Sequence, residues 1–285
     1  MTEVYELSTE RVLDRGGRRI KVMVLVKAAP QPSRTYGDTV CVAGVAVSPG
    51  SARWVRLYPV PFRYMAGDKQ FRKYDIIDVK VRDASADKRV ESLRIDAQSL
   101  EIERHVGGWE RRAQWVEPLQ GLSMCGVLRA VRADMNSVSL AAIRPTEVYD
   151  LLIEEHAGWS TSELKRFEQY AQQGDLFAET PPTLLKAPHF RARLKYRCES
   201  PDCPTHTQRV IDWELNALQY YQRALPDVKL RASIREKFFD QMYGASKRPL
   251  IFVGNQENPQ RRQSFTVLGT YYPKAGQTPG DNVLF

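Results

Sequence analysis

Residues 39–60, TVCVAGVAVSPGSARWVRLYPV, hold two short runs of β-branched, aromatic and small residues around a Ser-Pro-Gly-Ser break. Val, Trp and Tyr suit a pleated, half-buried surface, and Pro-Gly pairs turn the chain, so the stretch reads as two neighbouring strands. The same pattern continues on either side. IKVMVLVKA (20–28) precedes it, and YDIIDVKVRDA (74–84), SLRID (92–96) and SVSLAAI (137–143) follow, separated by Gly, Pro, Asp and Ser. Several short strands at this spacing predict a barrel or a sandwich.

Beyond Pro145 the periodicity becomes that of helices. TEVYDLLIEEHAGW (146–159) and SELKRFEQYAQQ (162–173) are read as helical, with Ser160 and Glu163 at capping-box spacing. GDLFAETPPTLL (174–185) reads as a linker and GQTPGDNVLF (276–285) as a loose tail. LIFVGNQ and SFTVLGTYY, separated by ENPQRRQ, predict a terminal hairpin. Charge is segregated: residues 145–180 carry eight acidic and two basic side chains, whereas residues 181–285 carry sixteen basic and nine acidic ones.

The CVAG run at Cys41 to Gly44, followed by Trp54-Val55-Arg56, resembles the opening pattern of bacterial dual-OB proteins, over about residues 38–60. That resemblance implies two linked OB-like barrels with a nucleic-acid role, connected with genome defence or mobile elements. Leu57-Tyr58-Pro59 and the Cys/His loop described below depart from the pattern. The expected architecture is therefore α+β: an OB-like antiparallel β-barrel over 1–144, an acidic helical connector over 145–180, and a basic α/β module over 181–285.

With 285 residues the chain can bury one large core or two ordinary ones. Hydrophobic content of 42% and charge of 27% are ordinary for a globular protein, and no apolar run approaches the roughly 20 residues that span a bilayer. The opening MTEVYELSTERVLDRGG has no apolar leader, which predicts a cytoplasmic protein with no membrane partner. Four cysteines, with Cys41 and Cys125 isolated, make no disulfide framework. A net charge of +8 favours a polyanionic partner, since basic surface releases counterions from phosphate backbones.

The sharpest local signal is YRCESPDCPTHTQRVIDWE, where Cys198, Cys203 and His206 follow C-x4-C-x2-H spacing in a turn-rich loop. Thiolate and imidazole donors suit Zn²⁺, and a fourth protein ligand would make the site structural. His189 is the expected fourth ligand, with Asp212, Glu214, Cys41 and Cys125 behind it. Just before this loop Arg191, Arg193, Lys195 and Arg197 alternate with Phe190, Ala192, Leu194 and Tyr196. On a strand this alternation aims four cations to one side about 6.6 Å apart, close to phosphate spacing on a nucleic-acid strand. Trp54, Arg56, Tyr58 and Arg63 offer a second basic and aromatic set of the kind that stacks bases.

Asp212 and Glu214, flanking Trp213, are the named catalytic candidates, as a carboxylate pair for Mg²⁺, although Asp212 also fits a helix cap. RDASADKRVES (82–92) is a second charged cluster, read as a polar loop. Phosphate-loop, dinucleotide, zinc-protease and serine-hydrolase motifs do not occur. The function read from these residues is nucleic-acid binding, DNA or RNA, with a structural zinc and no assigned catalysis. The alternatives are a metal-dependent nuclease or modifying enzyme, and an interaction subunit that meets a protein partner in a larger complex.

Overall fold

The computed structural model describes residues 17–30, 39–48, 52–85, 87–165 and 186–277. The first half is built on β1 (Arg18–Ala28), β2 (Val40–Ala46), β3 (Trp54–Val60), β4 (Asp75–Asp83), β5 (Ser92–Ile95) and β6 (Glu101–His105). These strands pair in the order β1-β2-β3-β5-β4-β6, and β1 pairs again with β4 to close five of them into a barrel. One strand serves both neighbours because β1 is long. Its residues 22–28 register with β2, while residues 18–23 register with β4.

This is the OB connectivity expected from the sequence, with one refinement: β3 and β5 run parallel, so the barrel is mixed rather than wholly antiparallel. Gly44 shows how tightly β2 meets β1. A Cβ there would sit 2.3 Å from the Met23 carbonyl oxygen, so the small residue in CVAG is a packing requirement. Val22, Val24, Val42, Leu57, Ile77 and Val79 fill the interior.

Helices α1 (Trp109–Val116) and α2 (Met124–Ala133) lead into the second half. Its strands are β7 (Leu140–Ile143), β8 (Pro145–Glu155), β9 (Phe190–Cys198), β10 (His206–Val210), β11 (Leu250–Asn255) and β12 (Phe265–Tyr271). Between β10 and β11 lie α3 (Trp213–Tyr221) and α4 (Asp227–Arg235), which runs through a π turn at Glu236–Asp240. The predicted terminal hairpin is present as antiparallel β11 and β12.

The strand order is β7-β11-β12-β10-β9-β8, and β7 and β8, at opposite edges, are consecutive in sequence with only Arg144 between them. Treated as one bent strand, β7 and β8 complete the same circuit as the first barrel, down to a parallel pair, here β10 and β12. Arg144 holds the corner. Its guanidinium donates to Glu117 Oε2 at 2.9 Å, to Gln120 Oε1 at 2.8 and 3.0 Å and to the Arg248 carbonyl at 3.3 Å. The second sheet thus repeats the strand winding of the first, inside what the composition alone divides into a connector and an α/β module.

Residues 145–155 therefore form strand β8, not the helix their pattern predicts. Thr146, Val148, Tyr149 and Ile153 favour a pleated surface, and register with β9 along the whole length outweighs a short apolar periodicity. The capping box is as predicted: Ser160 N–H donates to Glu163 Oε2 at 2.8 Å and Glu163 N–H to Ser160 Oγ at 3.3 Å, opening a helical stretch at 161. The rest of the stretch expected to be helical, the expected linker and the extreme tail lie outside the described residues.

The two windings share a buried seam. Met23, Leu25 and Ile76 of the first pack with Leu140, Leu250, Phe252 and Leu268 of the second, and Trp54 meets Phe252 edge-on at 5.6 Å. Polar groups cross the seam in pairs. Ala29 N–H donates to the Ile211 carbonyl at 2.6 Å, and Lys73 Nζ reaches Asp212 Oδ2 at 2.6 Å. Asp212 is 1% exposed and its other oxygen caps α3 at Glu214 N–H, 3.0 Å away. Replacing Asp212 with Ala should strand Lys73 and uncap α3, lowering the unfolding free energy by about 3 kcal/mol. Urea titration followed by tryptophan fluorescence and by circular dichroism is the measurement, with Asp68→Ala, an exposed acidic residue, as the neutral control.

Candidate metal centre and basic face

Cys198 ends β9 and His206 begins β10, so the hairpin between them presents Cys203 midway. Helix α2 supplies Cys125 in its first turn, behind Ser123, whose side chain caps the helix at Gly126 N–H. The four donor atoms of Cys125, Cys198, Cys203 and His206 lie within 4.8 Å of one another. His206 Nε2 is 3.5 Å from Cys198 Sγ and 3.5 Å from Cys125 Sγ. Sulfur at about 2.3 Å and nitrogen at about 2.0–2.1 Å around a tetrahedral ion would stand about 3.6 Å apart. Donor set and spacing both fit a metal ion held by four protein ligands.

The electrostatics agree. Burial opposes ionisation of Cys198, but the backbone N–H groups of Cys125 and Ser200 and the His206 ring bring its thiol down to about 6. Burial, together with the neighbouring Cys198, pushes Cys125 up to about 11. A first thiolate among close thiols makes the next harder to form, and a cation at the centre removes that conflict.

Three members of this cluster are the residues expected from sequence spacing, and the fourth is Cys125 rather than His189. His189 is exposed and bonds Asp227 Oδ1 at 2.9 Å, whereas Cys125 reaches the cluster because α2 packs against the β9–β10 hairpin. An isolated cysteine in a helix's first turn is the only linear trace of that role. Asp212 and Glu214 are committed elsewhere: Asp212 to Lys73 and the α3 cap, Glu214 to Lys27 at 3.2 Å. Both are structural ties across the seam.

On β9 the alternation is as read. Phe190, Ala192, Leu194 and Tyr196 are buried, Arg191, Arg193 and Lys195 are exposed and Arg197 is half-buried. β9 is flanked on both sides by β8 and β10, so its cations are not there to blunt a sheet edge. β8 sets acids opposite the row, Glu154 facing Arg191 and Glu147 facing Arg197. Glu154 bonds Arg191 Nε at 3.1 Å and also pairs with Arg193. The two guanidinium partners hold the Glu154 carboxyl below its ordinary range. The acidic stretch of the sequence is thus the partner strand of the basic one.

The set on the first barrel is not brought together. Arg56 is 2% exposed and donates to Ser139 Oγ at 2.9 Å and the Ser139 carbonyl at 3.0 Å across the seam, and Trp54 is packed on Phe252. Trp54, Tyr58 and Arg63 keep partial exposure. The 82–92 cluster is also structural. Burial alone would raise Asp87, but Arg89 bonds both its oxygens and brings it down to about 2, and Arg89 Nη1 donates to the Asn255 carbonyl at 2.8 Å.

Family models match the chain in two parts: one described as Domain of unknown function (DUF8757) over residues 120–285, the other as Domain of unknown function (DUF8758) over residues 18–118. No curated protein matches. Among solved structures, a murine DNA binding protein bound with double-stranded DNA aligns at 8% identity and TM-score 0.30, covering 89% of this chain and 93% of that one. A Replication Protein A heterotrimer bound to single-stranded DNA aligns at 9% identity and TM-score 0.36, covering 99% of this chain and 54% of that one. Both TM-scores are too low to equate the folds. Among the described residues no helix is long and apolar enough to cross a membrane.

The four-ligand assignment has a direct check. Purified protein should carry about one metal ion per chain, and Cys125→Ser and Cys198→Ser should both fall below about 0.2, while His189→Ala should keep full occupancy. Plasma mass spectrometry of the three variants reads this.

Proposed function

We propose that this protein, which belongs to the DUF8757 family by the match over residues 120–285, binds nucleic acid on the outer face of its second barrel and holds a structural zinc. The observation that carries the reading is the row Arg191, Arg193, Lys195 and Arg197 on a central strand, one face of which is core and the other solvent. Residues two apart on a strand are about 6.6–6.8 Å apart, which suits successive phosphates. The OB-like winding and the net charge of +8 support the same partner. Tyr58 and Arg63 of the first barrel are secondary contacts in this reading.

Zinc follows from the ligand types. Three cysteines and one histidine whose donor atoms lie within 4.8 Å of one another suit a closed zinc set, in which four protein ligands would leave no position for water or substrate. Its work is to fasten α2 and the β9–β10 hairpin, and so to brace the strand that bears the cations. A role in genome defence or with mobile elements is carried forward from the dual-OB resemblance.

Glu154 makes the phosphate reading testable in both directions. Converting Arg191, Arg193, Lys195 and Arg197 together to Gln should abolish binding of single-stranded DNA and RNA in a fluorescence-anisotropy titration. Glu154→Gln frees two guanidinium groups and should tighten binding and steepen the log K against log salt slope by about 0.7 for each further phosphate neutralised. Unchanged affinity and slope in the Glu154→Gln protein would reject the interface. With Asp212 and Glu214 both tied into ion pairs, labelled DNA and RNA should stay intact in Mg²⁺ as in EDTA.

A further inference from the structure

An open pocket of about 500 Å³ lies beside the basic row, where the loop after β8 folds over β9 and β10. Its floor is arginine. Arg191 and Arg193 project from β9, and Arg209 projects from β10 in register with Arg193. Arg191 and Arg193 share Glu154, but Arg209 has no hydrogen-bonded or ion-pair partner among the described residues. Partial burial, reinforced by repulsion from Arg191, lowers the pKa of Arg209. Neighbouring cations in this state are relieved by an anion that bridges them.

The wall is aromatic. His156 and Trp159 meet edge-on at 5.1 Å. His156 Nδ1 accepts from Gly158 N–H at 3.1 Å, which leaves the ring proton on Nε2, and burial, with Arg209 and Arg191 nearby, lowers its pKa so that the ring is neutral. A neutral imidazole and an indole are surfaces on which a base can stack, and an Nε2–H is a donor for its edge. Glu163, bonded to Ser160, adds an acceptor for amino or hydroxyl groups. Bare phosphate uses only the arginines, whereas a nucleotide uses the arginines, the rings and the carboxylate together. The volume lies within the range of small-molecule sites.

We propose that this pocket receives a single phosphate-bearing nucleotide, with Arg209 and Arg191 on the phosphate and Trp159 and His156 against the base. The proposal rests on the nucleic-acid reading of the β9 face and adds to it a discrete site at one end of the cation row. The nucleotide arrives either free or as the phosphorylated end of a strand, and the same chemistry serves both.

Binding of AMP, of inorganic phosphate, and of one short single-stranded oligonucleotide with and without a 5′ phosphate separates the possibilities. AMP should bind more tightly than phosphate. Trp159→Ala should weaken AMP by about tenfold while leaving phosphate unchanged, the loss expected of one base–aromatic stack. Arg209→Ala should weaken both. Melting temperature and metal content of each variant, equal to wild type, show that the fold persists. If the 5′ phosphate strengthens oligonucleotide binding and Arg209→Ala erases the increase, the occupant is a strand end. If AMP binds but the 5′ phosphate makes no difference, it is a free nucleotide. Failure of AMP to bind, or indifference of AMP to Trp159→Ala, overturns the pocket assignment. Retained oligonucleotide binding would then leave the β9 face standing, whereas loss of both would sink the two readings together.

Discussion

A strand buried on both faces has no water to satisfy its edges, so each of its edges must find another strand, and most of this structure follows from that demand. β1 meets it by length, pairing with β2 over one part and β4 over another, which closes the first barrel. The second half meets it by breaking one strand at a single residue. β7 and β8 lie at opposite edges of the same sheet, and Arg144 holds the corner by bonding Gln120 and Glu117. Once both circuits are closed, the outer apolar face of one packs on the other, and the seam takes in Trp54, Phe252 and Leu268.

Closure also explains why so many charged residues are unavailable for function. Arg56, Arg89, Lys73 and Asp212 sit where the two windings meet, and each bonds across that boundary to a partner distant in sequence. Burying a charge is tolerable only when it is paired and hydrogen-bonded, so a seam rich in such pairs fixes one relative arrangement. On β9, β10 and α2 the Cys125, Cys198, Cys203 and His206 side chains converge from a helix and a hairpin on a loop that has little apolar side chain of its own.

The cation row survives because β9 is central. Its inward residues are locked in the core, which forces the alternate residues outward, and β8 then limits their net charge by presenting Glu154 and Glu147. The outward face is a balanced surface with a surplus of arginine toward Arg209, where the aromatic loop after β8 folds over it.

Features carried by neighbours in sequence were legible from the chain alone: the β-rich first half, the alternation on β9, the capping box at Ser160 and three members of the Cys/His cluster in one loop. Alternation and ligand spacing are local properties, fixed by the period of a strand or the reach of a turn. What only the tertiary structure decided are the partners made across the fold. Cys125 rather than His189 joins Cys198, Cys203 and His206 in the cluster that could hold a metal ion, residues 145–155 become a strand because β9 lies beside them, and Arg56 turns inward to Ser139. None of these leaves a period in the sequence, because each pairing is selected by the closure of two sheets and the burial of the seam between them.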